Sequence, residues 1–468
     1  LAGKLAGGDP DEVVYALRLL ATGGRHAAHP AVRGLLQHPF PAVRAEAIRV
    51  LDAAGDLGAQ SAIEKLLYDP DLSVRTQALL YVAHHARIDP LDRIEELGDF
   101  EDFSIRAAMV SFLAQPGATM NLEAARMLLD GMLADPDPRT RREAARLLEL
   151  LPDEFDAQLR AVLDDSDPGQ VRHGIRAVGA LRKRSLVPYL VERLGDPELG
   201  ADAAAALVAF GDRIVGTLRD QLSDPQTPIR IRRELPGVLA SIGTRAAFQA
   251  LGESVLDADT EVRYRVISAL NKLQDLNPGW PLDRRMIETV LGAEITGHLR
   301  SYQVLGRLST ALEDPSPVLA PLRDAMDREL ERIFRLMKLL FPSQDLHSAY
   351  VGVQSANPVV HDNALEFLEN VLQPQLRSLL LPLIDSRVPV ARRVELATRV
   401  LGAGVVDETE AVRLLLLSDD PWLQSCGAYA VGTLGLHELL PALDALKVDA
   451  DPLLRETVRQ ARARIAGA

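Results

Sequence analysis

The chain has 468 residues, of which 47% are hydrophobic, 25% charged and only 4% aromatic, and its formal net charge is −14. That sign argues against nucleic acid as a partner, because neutralising phosphates needs a lysine and arginine surplus, and the scarcity of aromatics beside abundant Leu, Ala and Val argues against a sheet core. The single cysteine, Cys426, rules out an internal disulfide or thiolate cluster and fits a reducing, cytosolic compartment, and no apolar run reaches the roughly eighteen residues a membrane span needs.

In chain order, the first well-marked element opens at Pro41-Ala42-Val43-Arg44 and carries Val43, Ala47, Ile48 and Leu51 three and four residues apart, the spacing of one helix face. A break at Gly55-Asp56-Leu57-Gly58 leads to a shorter predicted helix from Ser61 to Tyr68, with Ile63, Leu66 and Leu67 on one side. The pattern then restarts at Asp69-Pro70-Asp71-Leu72-Ser73-Val74-Arg75. It returns at Arg106, at Asp135-Pro136 to Arg141, at Asp167-Pro168 to Arg172, at Asp224-Pro225 to Arg230, and at Glu261-Val262-Arg263. From Arg44 onward the arginines lie 31, 31, 35, 31, 58 and 33 residues apart, and the 58 spans a degenerate member at Asp196-Pro197. A period near 31 predicts a solenoid of helical hairpins, each too small to bury its apolar faces without its neighbours. Each Asp-Pro is expected to mark a helix start. Aspartate accepts hydrogen bonds from the free N–H groups of a first turn, and proline just inside the start loses nothing by lacking its own.

The period fails between residues 276 and 356. After the turn-rich Asn277-Pro278-Gly279-Trp280-Pro281, Asp283 is the expected cap of a long helix striped by Ile287, Leu291, Ile295, Leu299, Tyr302, Leu305, Leu308 and Leu312. Asp314-Pro315-Ser316-Pro317 precedes a second long helix with Leu319, Leu322, Met326, Leu330, Ile333, Phe334, Met337 and Leu340 on one face, stopped by Pro342. At about 25 residues each they predict an antiparallel hairpin roughly 38 Å long that projects from the rod or braces it. Two readings stand open: a recognition element, with Arg332, Arg335 and Lys338 as exposed partner contacts, or a joint between two half-solenoids. The expected organisation is therefore an array over 1–275, an insertion over 276–356 and further repeats over 357–468.

The Asp-Pro-x-x-x-Val-Arg openings resemble bacterial HEAT repeats, from Asp9 to about Leu273 and from about Pro358 to the end. The resemblance implies an all-α HEAT-repeat α-solenoid, a right-handed superhelix of hairpins. It also implies a structural ladder of aspartates and arginines from successive repeats, at the matching Asp69, Arg75, Arg106, Asp135, Arg141, Asp167, Arg172, Asp224 and Arg230. A second, narrower resemblance covers about 100 residues. Glu329 to Leu336, Phe341-Pro342, Ala349-Tyr350 and Asn363 to Leu372 look like the HEAT region that follows the membrane part of bacterial ATP/ADP-translocase-like, major-facilitator-type carriers. It implies a cytoplasmic module, tethered to the inner membrane by a domain preceding Leu1, whose partner is a protein or that membrane domain.

Motifs for catalysis are absent: no G-x-x-x-x-G-K-[ST], no G-x-G-x-x-G after a strand, no H-E-x-x-H, no C-x-x-C and no G-x-S-x-G. His26 and His29 lack the two further ligands zinc needs, His84 and His85 sit at a helix end, and the single His437-Glu438 pair is too few for a di-iron centre. His298 near Glu294 and Tyr302 reads as a small polar site or as packing. The arginine clusters at 139–142, 182–184 and 230–233 read as solvated helix starts and ladder members, or as a phosphate-binding groove. No catalytic residue, metal or cofactor is expected. The leading expectation is a non-catalytic protein-interaction scaffold. The alternatives are an enzyme resembling bilin lyases or alkylpurine DNA glycosylases, which few aromatics disfavour, and a nucleotide- or headgroup-sensing module.

Overall fold

The computed structural model describes residues 5, 9–22, 29–86, 90–99, 103–115, 120–151, 153–257, 259–313, 316–448 and 451–466, and these contain helices and no strand. His26, Asp314 and Pro315 lie outside the described residues. The chain folds as two compact units, Leu1–Phe210 and Gly211–Ala468.

In the first unit the leading helices of successive hairpins are α1 (Pro10–Thr22), α2 (Pro41–Ala53), α3 (Leu72–Ala86), α4 (Ile105–Leu113) and α5 (Pro138–Leu147). After α6 (Asp156–Leu163), a trailing helix, come the leading helices α7 (Pro168–Leu181) and α8 (Gly200–Val208). Each leading helix lies against the next from α1 to α5, then α5 against α7 and α7 against α8. This neighbour-on-neighbour burial is what the 31-residue period requires, and Val43, Ala47, Ile48 and Leu51 are accordingly 0% exposed.

Helix starts are a two-step device rather than the single Asp-Pro cap expected. Asp69 accepts the N–H of Asp71 at 3.0 Å, and it is Asp71 that accepts from Val74 in the first turn of α3, at 3.2 Å. Asp135 holds Asp137 N–H at 2.9 Å in the same way, and Asp137 caps α5 through Arg139 N–H at 2.8 Å. An aspartate side chain reaches an N–H two residues on as readily as one in a helix turn, so an Asp-x-Asp sequence divides the work. At Asp167-Pro168 the expectation matches: Asp167 caps directly, the proline is the first helical residue, and Asp165 is the turn aspartate.

Two glycines set how closely repeats approach. In α7, a Cβ on Gly174 would fall 3.0 Å from Leu163 Cδ2 of α6, and one on Gly179 would fall 2.8 Å from the Ala206 Cα of α8. Helix α7 therefore touches its predecessor at one glycine and its successor at the other. Gly179→Val is expected to destabilise the first unit by about 2–3 kcal/mol, since the obstructing atom is backbone and cannot rotate away; a shift in the urea midpoint of the far-UV circular dichroism signal measures it.

The second unit begins its leading series with α9 (Ile229–Arg232), α10 (Leu235–Ile242) and α11 (Thr260–Leu276). The insertion forms α12 (Arg284–Ala311, 28 residues) and α13 (Leu319–Leu340, 22 residues), with α12 capped by Asp283 through Met286 N–H. Then follow α14 (Leu346–Val353), α15 (Pro358–Val371), α16 (Val390–Leu401), α17 (Glu408–Leu416), α18 (Pro421–Leu434) and α19 (Pro452–Ala466). The long hairpin does not project. α13 packs on α11, while α12 packs on α16 and α17, so both of its sides are covered. Helix α18 repeats the glycine spacing of α7: Gly427 faces Leu416 of α17, and a Cβ on Gly432 would fall 2.9 Å from the Ala461 Cα of α19.

Candidate functional site

The arginines of the repeat openings act first on their own loops. Where the arginine is the fourth residue of its helix, its side chain folds back to the turn that precedes it. Arg75 Nη1 donates to the carbonyls of Asp69 and Pro70 at 2.7 and 3.0 Å, and Arg141 Nη1 to those of Asp135 and Pro136 at 2.8 and 3.0 Å. Arg44 and Arg263 do the same six residues back, at His38 and Asp257. A guanidinium has donors to spare, so the same group can also reach a carboxylate of the next repeat. Arg44 grips Asp69 with two bonds of 2.9 and 2.8 Å, their side chains 11% and 6% exposed.

The expected ladder residues fall into three classes in the structure. Arg106 pairs with Asp135 at 3.3 Å across neighbouring repeats, though the arginine is largely exposed. Asp167 and Arg172 belong to different rungs: Asp167 faces Arg142 at 3.5 Å, and Arg172 pairs with Asp202 at 2.8 Å. Asp224 holds the Gln226 N–H at 2.8 Å, and Arg230 is exposed without an ion pair among the described residues. Arg232 takes the place expected for Arg230, pairing with Asp257 and donating to the Leu222 carbonyl at 3.0 Å. The cause is Thr227-Pro228: Pro228 is extended and precedes the helix, which delays α9 and moves its fourth residue from 230 to 232. Arg232→Ala is expected to cost about 2–3 kcal/mol and Arg230→Ala no more than about 0.5 kcal/mol; equal urea midpoints for the two variants would contradict this register.

The three expected partner contacts on α13 are not free surface. Arg332 is 7% exposed and donates through Nε to Glu294 Oε2 at 2.9 Å, while Arg263 of α11 donates to Glu294 Oε1 at 2.7 Å. Arg335 binds Glu331 Oε1 at 2.9 and 2.7 Å, lies 5.3 Å over the Tyr264 ring and reaches Ser268 Oγ at 3.4 Å. Lys338 meets Asp275 at 2.6 Å. Residues 264, 268 and 275 of α11 thus meet 331, 335 and 338 of α13 in rising order, so these two helices run parallel, with α12 antiparallel between their ends. The expectation of exposed contacts fails because α13 is covered on two faces, and long side chains at the seam keep their charges while burying their stems. Glu294, Tyr264 and Asn271 complete the seam and were not expected in it; the signal for Glu294 is an acid standing within the Leu291–Ile295–His298 stripe.

Two cavities open along this seam, on either side of Glu331. The larger, about 440 Å³, is lined by Arg233, Arg265, Arg328, Asp259, Thr260 and Asp419 among others. Its arginines are already matched: Arg233 with Asp259 at 2.9 Å, Arg265 with Glu261 at 2.7 Å, Arg328 with Asp420 at 3.2 Å. Thr260 donates its N–H and hydroxyl to Asp419 at 2.8 and 2.6 Å, which joins the start of α11 to the start of α18. Burial pushes the Asp259 carboxyl up, but the Arg233 guanidinium and the Val262 N–H outweigh it and leave it below the usual carboxylate range. Its contribution to stability is full at neutral pH and fades as pH falls through that range. The smaller cavity, about 300 Å³, lies between α11, α13 and α14. A third, about 390 Å³, is floored by Leu291, Ile295, Leu299, Leu376 and Leu379.

The remaining reactive side chains are spread out. Cys426 is 4% exposed, its thiol pushed up to about 11 by burial and then by Asp420, so it is a poor nucleophile at neutral pH. His84 and His85 share Asp52 at 3.0 and 2.9 Å. His298 is 2% exposed, bonded to Glu329 at 2.8 Å and set edge-on to Tyr302. Glu438, beside His437, accepts the Thr409 hydroxyl at 2.7 Å. Trp280 lies tilted against Phe248, ring centroids 5.4 Å apart, and Trp422 is 48% exposed. Among the described residues no three His, Cys, Asp or Glu side chains converge to hold a metal, and no helix is long and apolar enough to cross a membrane.

A family model described as HEAT repeats matches residues 4–83 and 125–209, together about a third of the chain. No curated protein matches. Solved structures it is similar to include an engineered protein, at 17% identity over 99% of this chain and 97% of that one, with a TM-score of 0.17. Others are the karyopherin Kap121p bound to the extreme C-terminus of the protein phosphatase Cdc14p, at 12% identity, and Kap121p alone, at 14%. For these two, 98% of this chain is covered against 62% and 60% of the karyopherin, with TM-scores of 0.26 and 0.25, so the chain spans less than two thirds of the karyopherin's length.

Proposed function

From an all-α chain of the α-solenoid class that carries HEAT repeats over 4–83 and 125–209, we propose a non-catalytic scaffold that acts by binding another protein. The observation that carries this reading is the apolar edge of the last two leading helices. Trp422 of α18 and Leu453 of α19 are both the second residue after a turn aspartate and proline, and are 48% and 49% exposed. Helices α18 and α19 pack directly on each other, so the two side chains occupy equivalent places on adjacent repeats. The same position in α5 and α7 holds Arg139 and Gly169. An exposed tryptophan is a frequent interface anchor, and with Leu453 it makes these two helix starts apolar where Arg139 and Gly169 leave the earlier ones without apolar surface.

In this reading residues 1–275 and 357–468 are two repeat arrays and 276–356 is the brace between them. The narrower resemblance of residues 329–372 supports a further step: the partner is the membrane domain of a larger transporter-like protein, and the scaffold works on the cytoplasmic face of the inner membrane. The test is affinity capture from the native host with the wild-type chain and with a Trp422→Glu, Leu453→Glu variant of equal thermal stability. A stoichiometric partner held by the first and lost by the second is expected. A partner held equally by both, or none held by the wild type, would end the proposal. Identification of the retained protein as a multi-helix membrane segment separates the transporter-linked reading from a free adaptor.

A further inference from the structure

The cavity of about 440 Å³ on the α11–α13 seam is walled by four arginines and five carboxylates. Three ion pairs close within the wall, while Arg335 answers Glu331 and Glu294 answers Arg332 from outside it. Asp419 is left over. Both bonds from Thr260 end on its Oδ2, and its Oδ1 has no partner among the described residues. The wall therefore holds one negative charge that no cation meets.

Asp419 alone would be an ordinary exposed acid. The second feature is Arg332, which is 7% exposed and spends only its Nε, on Glu294 at 2.9 Å. Its Nη1 and Nη2 have no acceptor among the described residues, yet they are not sealed off, and Arg332 forms part of the cavity wall. Those two nitrogens carry four of the five guanidinium donors, in the planar fork that a carboxylate accepts with both oxygens. Donors in so enclosed a place are rarely left without an acceptor.

The two features belong to one place. Arg263 and Arg332 hold opposite oxygens of Glu294, Arg263 Nη2 donates to the Thr260 hydroxyl at 3.3 Å, and that hydroxyl donates to Asp419 at 2.6 Å. An unbroken series of contacts thus runs from the idle guanidinium edge to the unmet carboxylate. Tyr264 and Pro421 add apolar surface to the same wall. The volume lies within the range of pockets that enclose small ligands, roughly 300–1,000 Å³.

We propose that this cavity binds a free amino acid with a cationic side chain. Its carboxylate takes the two terminal nitrogens of Arg332, its side-chain cation meets Asp419 Oδ1, and the methylenes between them lie against Tyr264 and Pro421. The α-ammonium faces Glu331, whose bonds from Arg335 and Tyr264 all end on Oε1. The single net positive charge of such a ligand offsets the one unmatched carboxylate. The site is separate from the apolar surface of Trp422 and Leu453, and it can hold or fall independently of the scaffold reading.

Isothermal titration of the full chain with three probes tests it: L-lysine, cadaverine, which lacks the carboxylate, and L-norleucine, which lacks the side-chain cation. L-lysine is expected to bind at least about tenfold more tightly than either of the others. Asp419→Asn is expected to weaken L-lysine at least about tenfold with the melting temperature unchanged, since asparagine keeps an oxygen for the Thr260 bonds. Arg332→Lys retains the charge but not the fork, and is expected to erase the preference over cadaverine. Should that variant misfold, Asp419→Asn and the three probes decide. No heat up to roughly 10 mM L-lysine, no preference among the three, or unaltered affinity in Asp419→Asn would each overturn the proposal.

Discussion

Glu294→Gln is expected to destabilise the second unit by about 3–5 kcal/mol, the largest effect of any single substitution in the α11–α13 seam. Glu294 is 7% exposed and accepts from Arg263 at 2.7 Å and from Arg332 at 2.9 Å, one guanidinium on each oxygen. Arg332 is as buried as the acid. Glutamine keeps the shape, but it offers one acceptor oxygen and turns an amide toward the other guanidinium. It also removes the negative charge that both arginines share. Two arginines then lie close with that charge gone, Arg332 in a buried setting, and neither can lose its proton. Removing Arg332 is the milder change, because Glu294 retains Arg263. Arg332→Met, which keeps the volume, is therefore expected to cost less than half as much. Amide hydrogen exchange along α11, α12 and α13 reports the local opening free energy where cooperativity is limited to neighbouring repeats. Equal protection in Glu294→Gln and wild type would show that the triad adds nothing.

That triad also marks where the sequence stops being legible. The helical hairpins, their period and the two long helices follow from apolar spacing and from caps such as Asp283, because those signals are local. The Asp-x-Asp division of labour at α3 and α5 is local too, yet it is hidden by the ambiguity of an aspartate that can satisfy either of two N–H groups. The shift from Arg230 to Arg232 needs the conformation of Pro228, which decides where α9 begins. The misjudged exposure of Arg332, Arg335 and Lys338 has a different origin. One apolar stripe on α13 identifies one buried face, whereas α11 covers a second face lined by charged side chains, which leaves Arg332 buried and Arg335 and Lys338 half-buried. Which carboxylate answers which arginine across 31 to 92 residues depends on the path of the whole chain, and no spacing rule supplies it. Asn271 is the extreme case: its Oδ1 is buried with no hydrogen-bond partner among the described residues, which appears only once Arg335 is seen to present a carbonyl to its nitrogen.

In the first unit the largest loss is expected from Arg44→Ala, about 3–4 kcal/mol. Arg44 performs two tasks at once. It donates to the His38 and Pro39 carbonyls at 2.8 and 3.1 Å, closing the loop before α2, and it holds Asp69 bidentately in the loop before α3. Its removal leaves Asp69, whose side chain is 6% exposed, with a single remaining donor among the described residues, the Asp71 N–H. A buried carboxylate in that position can recover only by drawing in water or a proton, and either route loosens the turn that starts α3. Asp69→Ala forfeits the same pair but leaves Arg44 its two carbonyls, so a smaller loss of about 2–3 kcal/mol is expected. The double variant separates the pair from the loop contacts. If the rung between repeats matters in itself, the two losses overlap, and Arg44→Ala with Asp69→Ala falls short of their sum by about 1–3 kcal/mol in urea titrations. Strict additivity would mean that the arginine serves only its own loop, and that the apolar contacts of α2 and α3 alone hold these two repeats in register.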